Sequence, residues 1–145
     1  MKALKPFWVL LGAMVVLVSI SLIRQRFEGR EIIPWRTDYG AATAEAQKTN
    51  RPLFLYFTAN WCEPCQSLKH TTWASAEVEK ALSDYVPVKI DVDENSELAK
   101  QYPGHGSIPH FVVLGKDREI VREGEGAADP QEFLVWLEGK GSLGF

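Results

Sequence analysis

The chain has 145 residues, 46% of them apolar and 24% charged, and a formal net charge of −3 at pH 7. That suffices for one compact core plus an appendage, and residues 31–145 alone hold 11 Lys and Arg against 18 Asp and Glu, net −7. An acidic domain argues against nucleic acid as a partner, and two cysteines exclude a separate structural disulfide, which leaves redox or metal chemistry for the pair.

Residues 1–6 form a basic tail with Lys2 and Lys5, and Phe7 to Ile23 follows without a charge before Arg24, Arg26 and Arg30. At about 1.5 Å per residue the apolar run reaches roughly 25 Å, near the short end of what crosses a bilayer. The expectation is an uncleaved, single-pass signal-anchor over 7–23. A cleaved signal peptide competes, but Ser19-Ile20-Ser21 is a poor cleavage site and Ala42-Thr43-Ala44 comes late. Basic residues are balanced across the run, so they do not set its orientation. Residues 24–36 read as a polar tether of roughly 20 Å, ending at Ile32-Ile33-Pro34-Trp35. Trp35 fits either the lipid headgroup level or the domain surface.

A domain is expected over 37–139, followed by a tail over 140–145. Asp38 caps a helix running to about Thr49, and Asn50-Arg51-Pro52 stops it. Leu53 to Thr58 is a buried strand, after which Cys62 opens a helix to His70. Thr71 to Ser75 interrupts that helix, and Ser75 starts another in which Val78, Ala81, Leu82 and Tyr85 share a face. Val86 to Val92 alternates with period two and reads as a second strand. Glu94 to Tyr102 reads as a short helix and Pro103 to Gly106 as a loop. Ile108 to Leu114 leads through a third strand and a turn to a hairpin partner over Glu119 to Arg122. Asp129, Pro130 and Glu132 announce a last helix burying Phe133, Leu134 and Leu137, with Gly139 at its end. This order describes an α/β domain with a mixed sheet flanked by helices.

Cys62 and Cys65 lie where the first strand meets its helix. Unpaired N–H groups and aligned peptide dipoles at a helix start favour a thiolate, the form in which sulfur is nucleophilic. A zinc or soft-metal site formed by Cys62, Cys65, His105 and His110 is the competing use. The forty-residue gap between the pairs lies far outside finger spacing. His70 reads as a solvated helix residue.

Trp61-Cys62-Glu63-Pro64-Cys65 after a strand, with Ile108-Pro109 opening another strand some forty residues on, resembles the thioredoxin superfamily. Arg51-Pro52 through Cys62, then Thr72-Trp73-Ala74-Ser75 and Val78 to Leu82, look most like the C-terminal domain of DsbD-type transmembrane disulfide reductases. The resemblance implies a thioredoxin fold and a thiol–disulfide oxidoreductase using no cofactor beyond its redox-active disulfide. It also implies cysteine-containing protein substrates, an upstream thiol electron donor, and a domain on the periplasmic or otherwise extracytoplasmic side of the inner (plasma) membrane. Cys62 would be the exposed nucleophile and Cys65 the resolving thiol. Pro109 would be cis and would shape a substrate groove with Ile108 and Trp61, while Pro64 fits the first turn of the helix.

Two positions depart from the family. A buried acid stands six residues before the first cysteine in thioredoxins, and here that residue is Tyr56, which leaves Lys89 or water to take the proton of Cys65. Glu63 between the cysteines opposes the Cys62 thiolate while the helix dipole favours it, so a pKa near ~7 is expected. The alternative functions are a metallochaperone or cytochrome-assembly thiol reductase serving one partner, and a binding module without catalysis.

Overall fold

A computed structural model describes residues 4–27, 30–102, 104 and 106–144. Pro103 and His105 lie outside the described residues. Helix α1, Leu4–Phe27, precedes the domain. Its apolar side chains, among them Trp8, Leu10, Met14, Val15 and Leu17, are exposed. Among the described residues, no helix is long and apolar enough to cross a membrane.

The domain runs α2 (Tyr39–Thr49), β1 (Leu53–Thr58), α3 (Glu63–His70), a 3-10 turn (Thr72–Ala74), α4 (Ala76–Leu82) and β2 (Val86–Asp91). It continues with α5 (Ser96–Ala99), β3 (His110–Leu114), β4 (Ile120–Glu125) and α6 (Pro130–Leu137). The four strands lie in the order β2-β1-β3-β4. β1 is parallel to β2 and antiparallel to β3, and β4 is antiparallel to β3, which makes the expected mixed sheet.

Strand β1 is buried along its whole length and feeds both faces of the sheet, because successive side chains point to opposite sides. Phe54 and Tyr56 join Phe111, Trp73, Phe133 and Trp136 on the face covered by α3, α4 and α6. Leu53, Leu55 and Phe57 join Val88, Ile90 and Val112 on the other face, covered by Ala42 and Ala46 of α2.

Caps fix the helix starts. Asp38 Oδ1 accepts from the Ala41 amide at the head of α2. Asp129 and Glu132 form a reciprocal capping box at α6, with Pro130 in the first turn. Asn50 ends α2 in the left-handed region at φ 53°, a conformation that asparagine tolerates better than most residues.

Three expectations differ. The helix expected over Glu94 to Tyr102 shrinks to one turn, because the chain first turns on itself: Asp91 Oδ1 accepts from the Asp93 amide and Asp91 O from the Asn95 amide. β4 runs on to Glu125, since His110 at the start of β3 still pairs with it. The last part of the expected tether is docked. Ile33 is buried, the Ile32 amide donates to Trp73 O, and Arg36 bridges to Val88 on the free edge of β2. The Arg36 guanidinium also donates twice to Glu45 on α2. Trp35 stacks on the aromatic face, 5.2 Å from Trp73 and 5.4 Å from Tyr56 between ring centres. We call residues 31–36 the strap.

Candidate active site

The dithiol sits where the sequence places it. Cys62 is the N-cap of α3, in extended conformation, and Glu63 and Pro64 occupy the first turn. Cys62 Sγ accepts from the Cys65 amide at 3.3 Å, so the sulfur meets one of the unpaired donors of the helix start. The two sulfurs are joined in a disulfide at 2.05 Å.

Cys65 is fully buried and Cys62 is 3% exposed, so the outer sulfur is less open than the expected exposed nucleophile. Ile108 packs against the cluster that contains both cysteines. The Ile108–Pro109 peptide is cis, and Pro109 is buried at the start of β3. Trp61 is 68% exposed beside Cys62, and its indole N–H donates to Asp93 Oδ2 at 2.8 Å, which fixes an apolar surface next to the sulfurs. Glu63 and Pro64 are exposed on the outer side of α3.

Tyr56 lies beneath the dithiol. Its hydroxyl reaches Cys65 O at 3.5 Å, the long end of a hydrogen bond, and burial pushes that hydroxyl above its ordinary range. It holds its proton at neutral pH. Lys89 stands directly across from Tyr56 in the β1–β2 register. Its ammonium is 2.8 Å from both carboxylate oxygens of Glu31, an ion pair about one-fifth exposed at each end. The Trp35 indole N–H donates to the same carboxylate. The sequence gives no signal for Glu31, which sits in the expected tether and belongs to no motif.

The candidate metal set is not assembled. Cys62 and Cys65 are bonded to each other, and His105 lies outside the described residues. His110 is buried against Phe57, at 5.9 Å between ring centres, on the opposite face of the sheet from Tyr56. Among the described residues, no group of three or more His, Cys, Asp or Glu side chains could hold a metal ion. Burial pushes the His110 imidazole below its usual range, with Glu123 and Glu125 pulling it back up.

A thioredoxin-like family model matches residues 34–116, more than half of the chain. The chain belongs to the thioredoxin-like family. It is 41% identical over 85 residues to thioredoxin of Bacillus subtilis (strain 168), covering 58% of this chain and 76% of that one. A thioredoxin from Thermus thermophilus superposes with a TM-score of 0.63 at 30% identity, over 74% of this chain and 85% of that one. The oxidised C-terminal domain of DsbD from Neisseria meningitidis superposes with a TM-score of 0.61 at 25% identity, over 74% of this chain and 99% of that domain. Other curated relatives are matched over 9% to 85% of their own length, and monothiol glutaredoxin-4 of Saccharomyces cerevisiae, thioredoxin H2 of Arabidopsis thaliana and DsbD of Campylobacter jejuni over only 35%, 56% and 9%. Family and paired cysteines together support thiol–disulfide oxidoreductase chemistry at this site.

Proposed function

We propose that this protein is a membrane-tethered thiol–disulfide oxidoreductase that reduces or exchanges disulfides of extracytoplasmic proteins. The observation that carries this is Cys62 at the N-cap of α3 with its sulfur on the Cys65 amide, one bond away from its partner cysteine. In the reduced protein, a Cys62 thiolate attacks a substrate disulfide, and the S–S bond breaks with its electron pair on the leaving sulfur, which takes a proton. Cys65 then loses its proton and attacks Cys62 Sγ, and the second substrate sulfur leaves as a thiol. Two electrons pass to the substrate, and the Cys62–Cys65 disulfide results. An upstream thiol donor restores the dithiol.

In this reading Trp61, Ile108 and Pro109 border the substrate. The anchor is α1, whose exposed apolar side chains have no cover among the described residues. Its uncharged run of roughly 25 Å is shorter than a hydrocarbon core of about 30 Å, and bilayers thin locally to accept short spans at fractions of a kcal/mol per Å.

The test is trapping in cells with Cys65→Ser. The reading expects mixed disulfides through Cys62 to several extracytoplasmic proteins, and a membrane-impermeant thiol reagent that labels the reduced protein in intact spheroplasts. A single metalloprotein partner would favour the assembly-factor alternative. Trapping by Cys62→Ser but not by Cys65→Ser would reverse the two cysteine roles, and absence of labelling would remove the extracytoplasmic assignment.

A further inference from the structure

Cys65 has no exposed surface, so its thiol loses a proton away from bulk water before it can attack Cys62. In such surroundings nearby charges decide the pH at which this happens. β1 contributes Tyr56 and β2 contributes Lys89. β3 and the 3-10 turn contribute Phe111 and Trp73, which are uncharged. The ionisable residues of α3 are Glu63, Lys69 and His70; Glu63 and His70 are exposed, and Lys69 is half-buried and donates to Gln66. Asp91 of β2 and Glu94 after it border the same cavity as Lys89, and the carboxylate that pairs with the Lys89 ammonium comes from outside the sheet. Glu31 of the strap holds the Lys89 ammonium with both oxygens and takes the Trp35 N–H, and the Trp35 ring rests on Tyr56. A cavity of about 180 Å³, bordered by Lys89, Lys69, Asp91, Glu94 and Thr58 to Asn60, opens beside this corner.

We propose that Glu31 is a positioning residue: the strap carries its carboxylate to Lys89, so that docking of the tether sets the ionisation of the resolving cysteine. With the strap docked, the carboxylate cancels the ammonium and Cys65 keeps its proton to higher pH. With the strap released, Lys89 loses its ion-pair partner and keeps only Asp91 and Glu94 across the cavity, the Cys65 thiolate is favoured, and the mixed disulfide at Cys62 resolves faster at neutral pH. The inference rests on the reading of Cys62 and Cys65 as an exchange pair, and its test does not depend on turnover.

The experiment is a pH titration of the reduced full-length chain labelled at cysteine 13Cβ, which gives two signals because the chain has two cysteines. Glu31→Gln is expected to lower the Cys65 midpoint by about half to one pH unit, and Lys89→Met to raise it by a similar amount. The double variant is expected to return close to the parent value. Ile33→Ala, which loosens the strap without changing a charge, is expected to lower the midpoint as Glu31→Gln does. Thermal unfolding of each variant confirms that the fold is retained. Single variants that both leave Cys65 unmoved, or that move it in the same direction, overturn the proposal and leave the ion pair a purely structural role. Insulin reduction by the parent chain is read separately. Its absence alongside opposite midpoint shifts would remove the exchange function and leave the electrostatic inference standing.

Discussion

The two faces of the sheet are fed by the same strands, β1 and β3, and differ in what covers them. On one, Phe54, Tyr56, Phe111, Trp73, Phe133 and Trp136 interlock at ring separations of 5.0–6.4 Å, and the dithiol helix rests on them. On the other, aliphatic side chains meet the small Ala42 and Ala46 of α2. Aromatic rings have few rotamers and prefer edge-to-face contacts worth about 0.5–1.5 kcal/mol beyond area burial. The aromatic face therefore holds α3, and with it the two sulfurs, in one place. The aliphatic face serves stability, with His110 buried against Phe57 and the Tyr39 and Tyr102 hydroxyls bonded at its border. A substitution on the aromatic face should thus disturb both stability and dithiol chemistry, and one on the aliphatic face stability alone.

The largest expected effect removes the chemistry while every ring of the aromatic face stays in place. Cys62→Ser should reduce insulin reduction to the uncatalysed background while the melting profile of the reduced chain is kept. Next, Trp73→Ala, which takes a fully buried ring from beneath the dithiol, should cost about 3–5 kcal/mol in urea unfolding and slow disulfide exchange in the fraction that remains folded. Leu55→Ala on the aliphatic face should cost about 2–5 kcal/mol by the same measurement, with the cysteine titration of the folded protein unchanged. An altered titration in that variant would erase the division between the faces. Asp129→Ala, which removes the α6 cap behind the aromatic face, should cost about 1 kcal/mol.

The smallest effect is a pH dependence on the aliphatic side. Burial lowers the folded pKa of His110, so the unfolded chain binds its proton first. The stability tied to the neutral ring is complete above the unfolded value of about 6.5 and declines as pH falls below it. His110→Leu should flatten that part of the stability-against-pH curve. An unchanged slope would mean that the ring is protonated without cost in the folded state.

The sequence made the catalytic core legible because its signals are local. Cysteine spacing, Pro64 at a helix start, the buried run Leu53 to Thr58 and Ile108-Pro109 each follow from neighbouring residues. What it hid depends on contacts between distant segments. Val121 and the Arg122 to Glu125 stretch lack a clean alternation because only Gly124 of β4 is buried, so no apolar face marks where the strand ends. Asp91 and Asn95 redirect a segment whose composition suits a longer helix. Glu31, Ile33 and Trp35 read as tether and tether end because a strap has no period of its own. Only the exposed edge of β2 and the aromatic face give them a place, and this is why the carboxylate missing at Tyr56 could not be found from the motif.

The most direct measurement is the reaction of the pre-reduced full-length chain with insulin, following protein thiols and mixed disulfides through time in the parent and in Cys65→Ser. The account predicts that the parent converts two of its own thiols to the Cys62–Cys65 disulfide for each insulin disulfide opened, and that Cys65→Ser stops at a covalent adduct on Cys62. A reduced parent chain that leaves insulin intact, or a Cys65→Ser variant that forms no adduct, would contradict it.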